Sequence, residues 1–166
     1  EYVDKFDQVL IVDCRYTYEY QGGHIPNAIS ILPAERDERL RELFLTNPEP
    51  KNRVAIVFHC EFSSKRGPAT YRRLRELDRE AHGCNYNDLY YPYLYVMEGG
   101  YQNFFQAYPQ VCQGVYVEMK DKRFKKELTD NKKREKLVSA QIKRSSSVGI
   151  SRRGGLSRSH QSLNFN

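Results

Sequence analysis

The stretch "VAIVFHCEFSSKRGP", residues 54–68, decides the fold, because a buried strand and the start of a helix meet in it around one thiol and one guanidinium. Residues 54–59 are apolar on both faces, which predicts a strand in the interior of a parallel sheet. Pro68 is typical of the first turn of a helix. The loop between the two elements begins at Cys60 and ends at Arg66.

This loop has the composition of an anion-binding site. Backbone N–H groups converge where a strand passes into a helix, and the helix dipole adds positive potential there. That potential favours the thiolate of Cys60, and the planar guanidinium of Arg66 matches two phosphate oxygens at once. Ser63 and Ser64 are small enough to let the anion approach the backbone. The pattern predicts a thiolate that attacks phosphorus and forms a phosphocysteine, which water then hydrolyses.

The rest of the first 118 residues alternates between apolar runs and turn signals. Strands are predicted at 8–14, 28–32 and 93–97, helices at 33–45 and after Gly99-Gly100, and a turn at 20–28. Because strands alternate with helices, we expect an α/β fold with a central parallel sheet flanked by helices.

Charge divides the chain near residue 118. Residues 1–118 carry a net charge of −4, whereas residues 119–166 carry +10. Nucleic-acid binding by the folded part is therefore not expected. We predict a catalytic domain in 1–118, a basic helical extension in 119–144 and a disordered Ser/Arg/Gly-rich tail in 145–166.

Cysteine and histidine spacing excludes a metal site. The four cysteines form no C-x-x-C pair and the four histidines are scattered, so we expect neither a metal nor a cofactor, and a reducing, intracellular compartment. No apolar run approaches the length of a membrane span, and the first residues lack the pattern of a signal peptide.

Three stretches resemble one family. "HCEFSSKRGP" (59–68), "IVDCRYTYEYQGGHIPNAISI" (11–31) and "YPYLYVMEGGYQNFF" (91–105) are similar to the M-phase inducer phosphatases, the cell-division-cycle family that activates cyclin-dependent kinases. The resemblance covers about residues 1–118. It implies a rhodanese-like three-layer fold and dual-specificity phosphatase activity on phosphothreonine and phosphotyrosine. The family's domain also opens with a strand and a helix upstream of Glu1, which we expect to be missing from these residues.

The resemblance also implies residue roles. Cys60 is the expected nucleophile and Arg66 the phosphate clamp, and Cys14 is expected to form a reversible disulfide with Cys60. An alternative for Cys14 is a small buried hydrophobe in a core strand. The expected phosphate-binding loop comprises Glu61, Phe62, Ser63, Ser64, Lys65 and Arg66.

Lys65 departs from the family, which usually has Glu at this position. That Glu is one proposed source of acid catalysis, so Glu61, the remaining carboxylate in the loop, becomes the candidate general acid. Four further polar residues are expected to form a structural network rather than a catalytic one, because buried charges need partners: Asp13, Arg15, Glu19 and His24.

The helix after the loop carries a basic stripe. At 100° per residue, Arg72, Arg75 and Arg79 share one face, which we expect to be exposed. The resemblance implies that Arg75 and Arg79 dock the protein substrate, a phosphorylated cyclin-dependent kinase–cyclin complex. The alternative is an ordinary solvated basic face. A separate face is expected to pack on the sheet: Tyr71, Leu74, Leu77 and Ala81.

Two other functions compete with the phosphatase. One is a rhodanese sulfurtransferase, which passes sulfur through a persulfide at Cys60; rhodanese loops are typically one residue shorter than this one. The other is a rhodanese-like binding module without activity, which the presence of both Cys60 and Arg66 disfavours.

The basic tail suggests regulation. Seven serines lie among arginines between residues 145 and 162, so phosphorylation and a phospho-dependent adaptor are expected there. The tail also has the composition of a nuclear import signal, and we expect the protein in the nucleus and cytoplasm. A solubilising extension is the alternative.

Overall fold

Four parallel strands form the central sheet of the computed structural model, which describes residues 5–46, 53–81 and 89–150. The strands are β1 (Gln8–Asp13), β3 (Ile29–Ser30), β4 (Val54–His59) and β5 (Tyr93–Val96), in the spatial order β3-β1-β4-β5. β1 and β4 pair along their whole length, from Gln8 beside Val54 to Asp13 beside His59. The central strand β4 therefore ends at the sheet edge where the loop begins.

Helices cover both faces of this sheet. On one face lie α2 (Arg36–Leu40), which continues as a π-helical turn (Arg41–Leu45), and α3 (Arg66–Ala81). Their apolar side chains join the main core: Leu40, Phe44, Leu74 and Leu77 pack with Val12, Ile56 and Phe58. On the other face, Tyr101 of α4 (Gly100–Ala107) packs near Ile11, whose side chain points opposite to that of Val12. The predicted α/β fold with a flanked parallel sheet is confirmed.

The segment predicted as a turn contains regular structure. α1 (Thr17–Gly22) follows β1, and β2 (Gly23–His24) pairs antiparallel with β6 (Gln113–Gly114). A Cβ at Gly23 would lie 2.2 Å from the carbonyl oxygen of Val115, so the close approach of these two strands requires glycine. Gly23, which suggested a turn in the sequence, thus permits this close packing, and the neighbouring Gly22 leaves room for the side chain of Val117.

The basic extension packs on the domain at its start. The phenol of Tyr18 donates to the Met119 carbonyl at 2.5 Å, and its ring stacks on Phe124 at 4.8 Å between centroids. After two 3-10 turns (Pro109–Val111 and Lys122–Phe124), α5 runs over Lys125–Ile150. The boundary predicted at residue 144 thus falls inside α5, and residues 151–166, with most of the predicted tail, lie outside the described residues. Among the described helices, none combines the length and apolar character of a membrane span.

Arg75 of α3 is not the exposed residue that the sequence predicted. Its guanidinium donates to the carbonyls of Tyr91 at 2.8 Å and Pro92 at 2.9 Å and contacts Asp78, and its side chain is only 13% exposed. Asp78 is fully buried and accepts from the Tyr91 amide. Helical periodicity places Arg75 and Arg79 on one face, but it does not reveal that the chain entering β5 covers Arg75. Ala81, expected on the packed face, is exposed as well.

Arg75 is therefore expected to stabilise the fold. Arg75→Ala removes the donors to two carbonyls and should lower the free energy of unfolding by about 1–3 kcal/mol, since buried acceptors lose their partners. Urea denaturation measures this. The matched control is Arg72→Ala on the same helix, an exposed position where a change within about 0.5 kcal/mol is expected. Equal effects of the two substitutions would contradict the structural role of Arg75.

Candidate active site

The loop after β4 is held from behind by α4. The first amides of that helix donate to loop carbonyls, Tyr101 N to Cys60 O at 2.9 Å and Gln102 N to Glu61 O at 3.0 Å. A Cβ on Gly100, whose φ is +62°, would lie 2.5 Å from the Cys60 carbonyl oxygen, so only glycine permits this contact. Because the C=O and N–H of a trans peptide point in opposite directions, binding these carbonyls turns the next two amides away from α4.

The loop's amides are open for an anion. Among the described residues, none of the backbone N–H groups of residues 61–65 donates to a protein acceptor. Ser63 adopts a left-handed conformation with φ +51°, and its buried hydroxyl has no partner in the described part of the chain. Converging unpaired amides are the groups that bind a phosphate at a strand-to-helix junction. In the described part of the chain the loop therefore offers unpaired amide donors, and its role as a phosphate-binding loop stays a prediction.

Arg66 begins α3 and is held by α1. Both terminal nitrogens of its guanidinium donate to the Glu19 carboxylate, one of them at 3.0 Å. The ring of Tyr16 lies 4.8 Å from the guanidinium carbon. Burial favours the neutral form of Arg66, but its hydrogen bonds and charge interaction with Glu19 outweigh burial and raise its pKa. Arg66 therefore presents a fixed positive charge at the end of the loop.

Cys14 and Cys60 directly follow two neighbouring strands, β1 and β4. Each follows the last residue of its strand, and those residues, Asp13 and His59, are register partners. Adjacent strands lie about 4.8 Å apart, within the Cα separation of a disulfide. Both cysteines are buried in the same core cluster as free thiols. Burial raises the pKa of Cys14 well above its usual value, so this thiol stays protonated in the reduced protein.

The carboxylate of Glu61 is hydrogen-bonded within the protein. Its carboxylate is buried, and one oxygen accepts from the Tyr116 phenol at 2.7 Å and from the Met119 amide at 3.2 Å. These bonds tie the loop to the segment that leads into α5. The other loop residues differ: Phe62, Ser64 and Lys65 are exposed and Ser63 is half-buried. The Glu61 carboxylate thus anchors the loop, and its role as a general acid stays a prediction.

The four residues of the predicted polar network do not form one network but lie in three separate places. Asp13 and Arg15 form an ion pair at 2.7 Å with both side chains fully buried, and Arg15 also donates to the Gly23 carbonyl. The guanidinium of Arg15 lies 3.8 Å from the ring centroid of Tyr101, which connects this pair to α4. Burial lowers the pKa of the adjacent His59, so its imidazole is neutral. Glu19 belongs to the Arg66 site instead, and His24 contacts the Tyr20 carbonyl at 2.9 Å.

A cavity of about 460 Å³ adjoins the loop beside Lys65 and Arg66. Residues of α2 form one wall, and α5 forms the other with Glu135, Val138, Ser139 and Ile142. Glu135 accepts a hydrogen bond from the Tyr16 phenol at 2.6 Å, which holds α5 near the Arg66 site. Among the described residues no group of His, Cys, Asp and Glu is arranged to hold a metal ion.

Sequence reasoning missed two residues of this site. Glu19 was assigned to the structural network, and Gly100 was interpreted only as the lead into a helix. The signal for Glu19 was weak, because its partner lies 47 residues away in the chain. The signal for Gly100 was its position between the strand predicted at 93–97 and the helix after it. At such a position the start of the helix can approach the loop that follows the neighbouring strand.

Comparisons with known proteins identify the family of this chain. The family model for the rhodanese-like domain matches residues 1–107. An M-phase inducer phosphatase of Dictyostelium discoideum is 45% identical over 124 residues, which are 74% of this chain and 12% of that protein. M-phase inducer phosphatase 2 of Homo sapiens is 47% identical over 131 residues, 76% of this chain and 21% of that protein.

A solved structure also matches. It is that of a yeast protein tyrosine phosphatase of the rhodanese family, with 23% identity and a TM-score of 0.47 over 66% of this chain and 78% of that one. The chain spans 12% and 21% of the lengths of the two curated relatives above. The chain belongs to the rhodanese-like domain family, and within that family it is similar to the M-phase inducer phosphatases.

Proposed function

We propose that this chain is the catalytic part of a cysteine-dependent protein phosphatase. It removes phosphate from phosphothreonine and phosphotyrosine of cyclin-dependent kinases and so promotes entry into mitosis. The observation that carries the proposal is the loop of residues 61–65 between Cys60 and Arg66, whose five amides have no protein acceptor in the described part of the chain. Similarity to M-phase inducer phosphatases supports the substrate class.

The positions of these groups support the following reaction. The thiolate of Cys60 attacks phosphorus, a sulfur–phosphorus bond forms, and the bond to the side-chain oxygen of the substrate breaks. The leaving oxygen takes a proton, and Glu61 is the proposed donor in this chain. Water then attacks the phosphocysteine and releases inorganic phosphate and the thiolate. The loop amides and Arg66 stabilise the negative charge on the phosphoryl oxygens in both steps.

A sulfurtransferase, the competing function, would hold a persulfide in the loop where a phosphatase holds a phosphoryl group. Its persulfide needs less room than a phosphoryl group, and this loop has seven residues from Cys60 to Arg66 inclusive. Phosphate release from phosphothreonine and phosphotyrosine peptides is measured beside thiosulfate-to-cyanide sulfur transfer. We expect turnover only in the first assay. Sulfur transfer without phosphate release would replace the proposed function, and inactivity in both would indicate a binding module.

The nucleophile is tested by Cys60→Ser. A hydroxyl has too high a pKa to attack phosphorus well, while the loop amides and Arg66 remain in place. Turnover of an aryl phosphate should fall by at least about 1,000-fold, whereas tungstate binding, measured by calorimetry, should persist. Turnover near that of the unsubstituted protein would refute the assignment of Cys60.

The proposed redox role of Cys14 is tested with dilute peroxide. Oxidation of Cys60 to a sulfenic acid, followed by attack of the Cys14 sulfur, releases water and forms the disulfide. Peptide mapping should show the Cys14–Cys60 bond, and dithiothreitol should restore activity. Cys14→Ser should instead give irreversible sulfinic acid at Cys60. Equal recovery of the two proteins after reduction would count against the protective disulfide.

For substrate docking we propose Arg79, which is exposed on α3, and not Arg75, which donates to carbonyls of the chain entering β5. Arg79 lies thirteen residues after Arg66, or about 20 Å along the helix. Arg79→Glu should lower kcat/KM about five-fold or more for a phosphorylated kinase–cyclin complex, and leave hydrolysis of a small aryl phosphate unchanged, because rim charges mainly speed encounter.

The control for docking is Arg53→Glu. It makes the same change of charge at the start of β4, the opposite end of the strand from the loop. An equal loss for both variants would show a general effect of charge and remove the assignment of Arg79. A phospho-dependent adaptor at the tail and residence in nucleus and cytoplasm are part of the same proposal, and most of the tail lies beyond the described residues.

A further inference from the structure

We infer that Glu19 is a positioning residue for catalysis: it fixes the orientation of Arg66 so that one edge of the guanidinium faces the anion loop. The inference rests on the proposed phosphatase function and extends it to a carboxylate on a different element. Glu19 lies on α1, whereas the nucleophile and the guanidinium follow β4.

The first argument is the geometry of the pair. An arginine side chain has five N–H donors in a rigid plane. The two carboxylate oxygens of Glu19 accept one hydrogen bond from each terminal nitrogen of Arg66. This arrangement leaves the Nε–H and one outer N–H along a side edge of the plane. Two parallel donors on one edge match two phosphoryl oxygens, so the pair leaves Arg66 competent to bind phosphate.

The second argument is that Glu19 is itself immobilised. Its side chain is fully buried, and one oxygen also accepts from the Tyr16 amide at 2.9 Å. The ring of Tyr16 covers a face of the guanidinium. Arg66 is thus held at its end by a carboxylate and over its plane by an aromatic ring, both from the start of α1. An arginine held by two groups loses little conformational freedom when phosphate binds.

The third argument is the charge of the pair. A buried carboxylate beside the phosphate site lowers the affinity for a dianion, while it orients the group that binds the dianion. Positioning and attraction therefore act in opposite directions on Glu19 variants. A residue needed only for folding would show neither effect in the folded protein.

The experiment compares Glu19→Gln and Glu19→Ala with the unsubstituted protein. The readouts are kcat and KM for an aryl phosphate and calorimetric affinity for tungstate, each normalised to the folded fraction. Glu19→Gln keeps the shape and removes the charge, so tungstate should bind about three-fold tighter or more while kcat falls about ten-fold. Glu19→Ala releases the guanidinium, and kcat should fall about 100-fold.

The matched control is Asp78→Asn. Asp78 is also fully buried and paired with an arginine, and it lies far along α3 from the loop. This variant should lose stability without any change in kcat or tungstate affinity of the folded protein. If the Glu19 variants behave in the same way as Asp78→Asn, the positioning role is rejected. If Glu19→Ala does not fold, the isosteric Glu19→Gln carries the test.

A double substitution separates this inference from the proposed function. Arg66→Lys replaces the planar guanidinium with a point charge that Glu19 cannot orient in the same way. The double variant Arg66→Lys, Glu19→Gln should therefore have the same kcat as Arg66→Lys alone. Additive losses would overturn the coupling between the two residues. If Arg66→Ala has the activity of the unsubstituted protein, the proposed phosphatase site fails, and this outcome does not depend on any result with Glu19.

Discussion

Two hydrogen bonds from the first turn of α4 fix the loop on which the site depends. The amides of Tyr101 and Gln102 bind the carbonyls of Cys60 and Glu61, and Gly100 permits the contact because it has no side chain. A helix N-terminus has unpaired N–H groups that need acceptors, and the loop has carbonyls that must not face an anion. One contact satisfies both requirements and leaves the loop amides open on the other side.

The pairing of buried carboxylates is a second constraint on this domain. Three carboxylates in the described residues are fully buried, Asp13, Glu19 and Asp78, and each contacts an arginine. Two of the pairs are local in the chain, Asp13 with Arg15 and Asp78 with Arg75, whereas the third includes the arginine that closes the loop. Glu61, also buried, is satisfied by a phenol and a backbone amide instead. Unpaired burial of any of these groups would cost several kcal/mol, so their partners are fixed parts of the fold.

The basic extension is connected to the site as well as to the domain. Tyr18 anchors the segment before α5, and Tyr16, which covers Arg66, donates to Glu135 on α5. The cavity beside Lys65 lies between α5 and α2. The extension thus contributes a wall to the space next to the phosphate loop, although its composition alone is that of a solvated basic helix. Lys65 places a positive charge on the rim of the same space.

The sequence by itself determined the strand, loop and helix around Cys60 and Arg66, because the pattern of apolar residues, Ser-Ser and Gly-Pro is local. It also determined the parallel sheet, through strands that alternate with helices. Tertiary structure alone decided the partners of Glu19 and Arg75. Helical periodicity gives the face on which a side chain lies, but not which distant segment covers that face. For Arg75 that segment is the chain entering β5, and for Glu19 the partner is an arginine 47 residues away. The Glu19–Arg66 contact forms only when the sheet brings α1 and the loop to one edge. The Arg75 contacts form only when α3 packs beside the chain entering β5, and at both places a buried charge requires a partner.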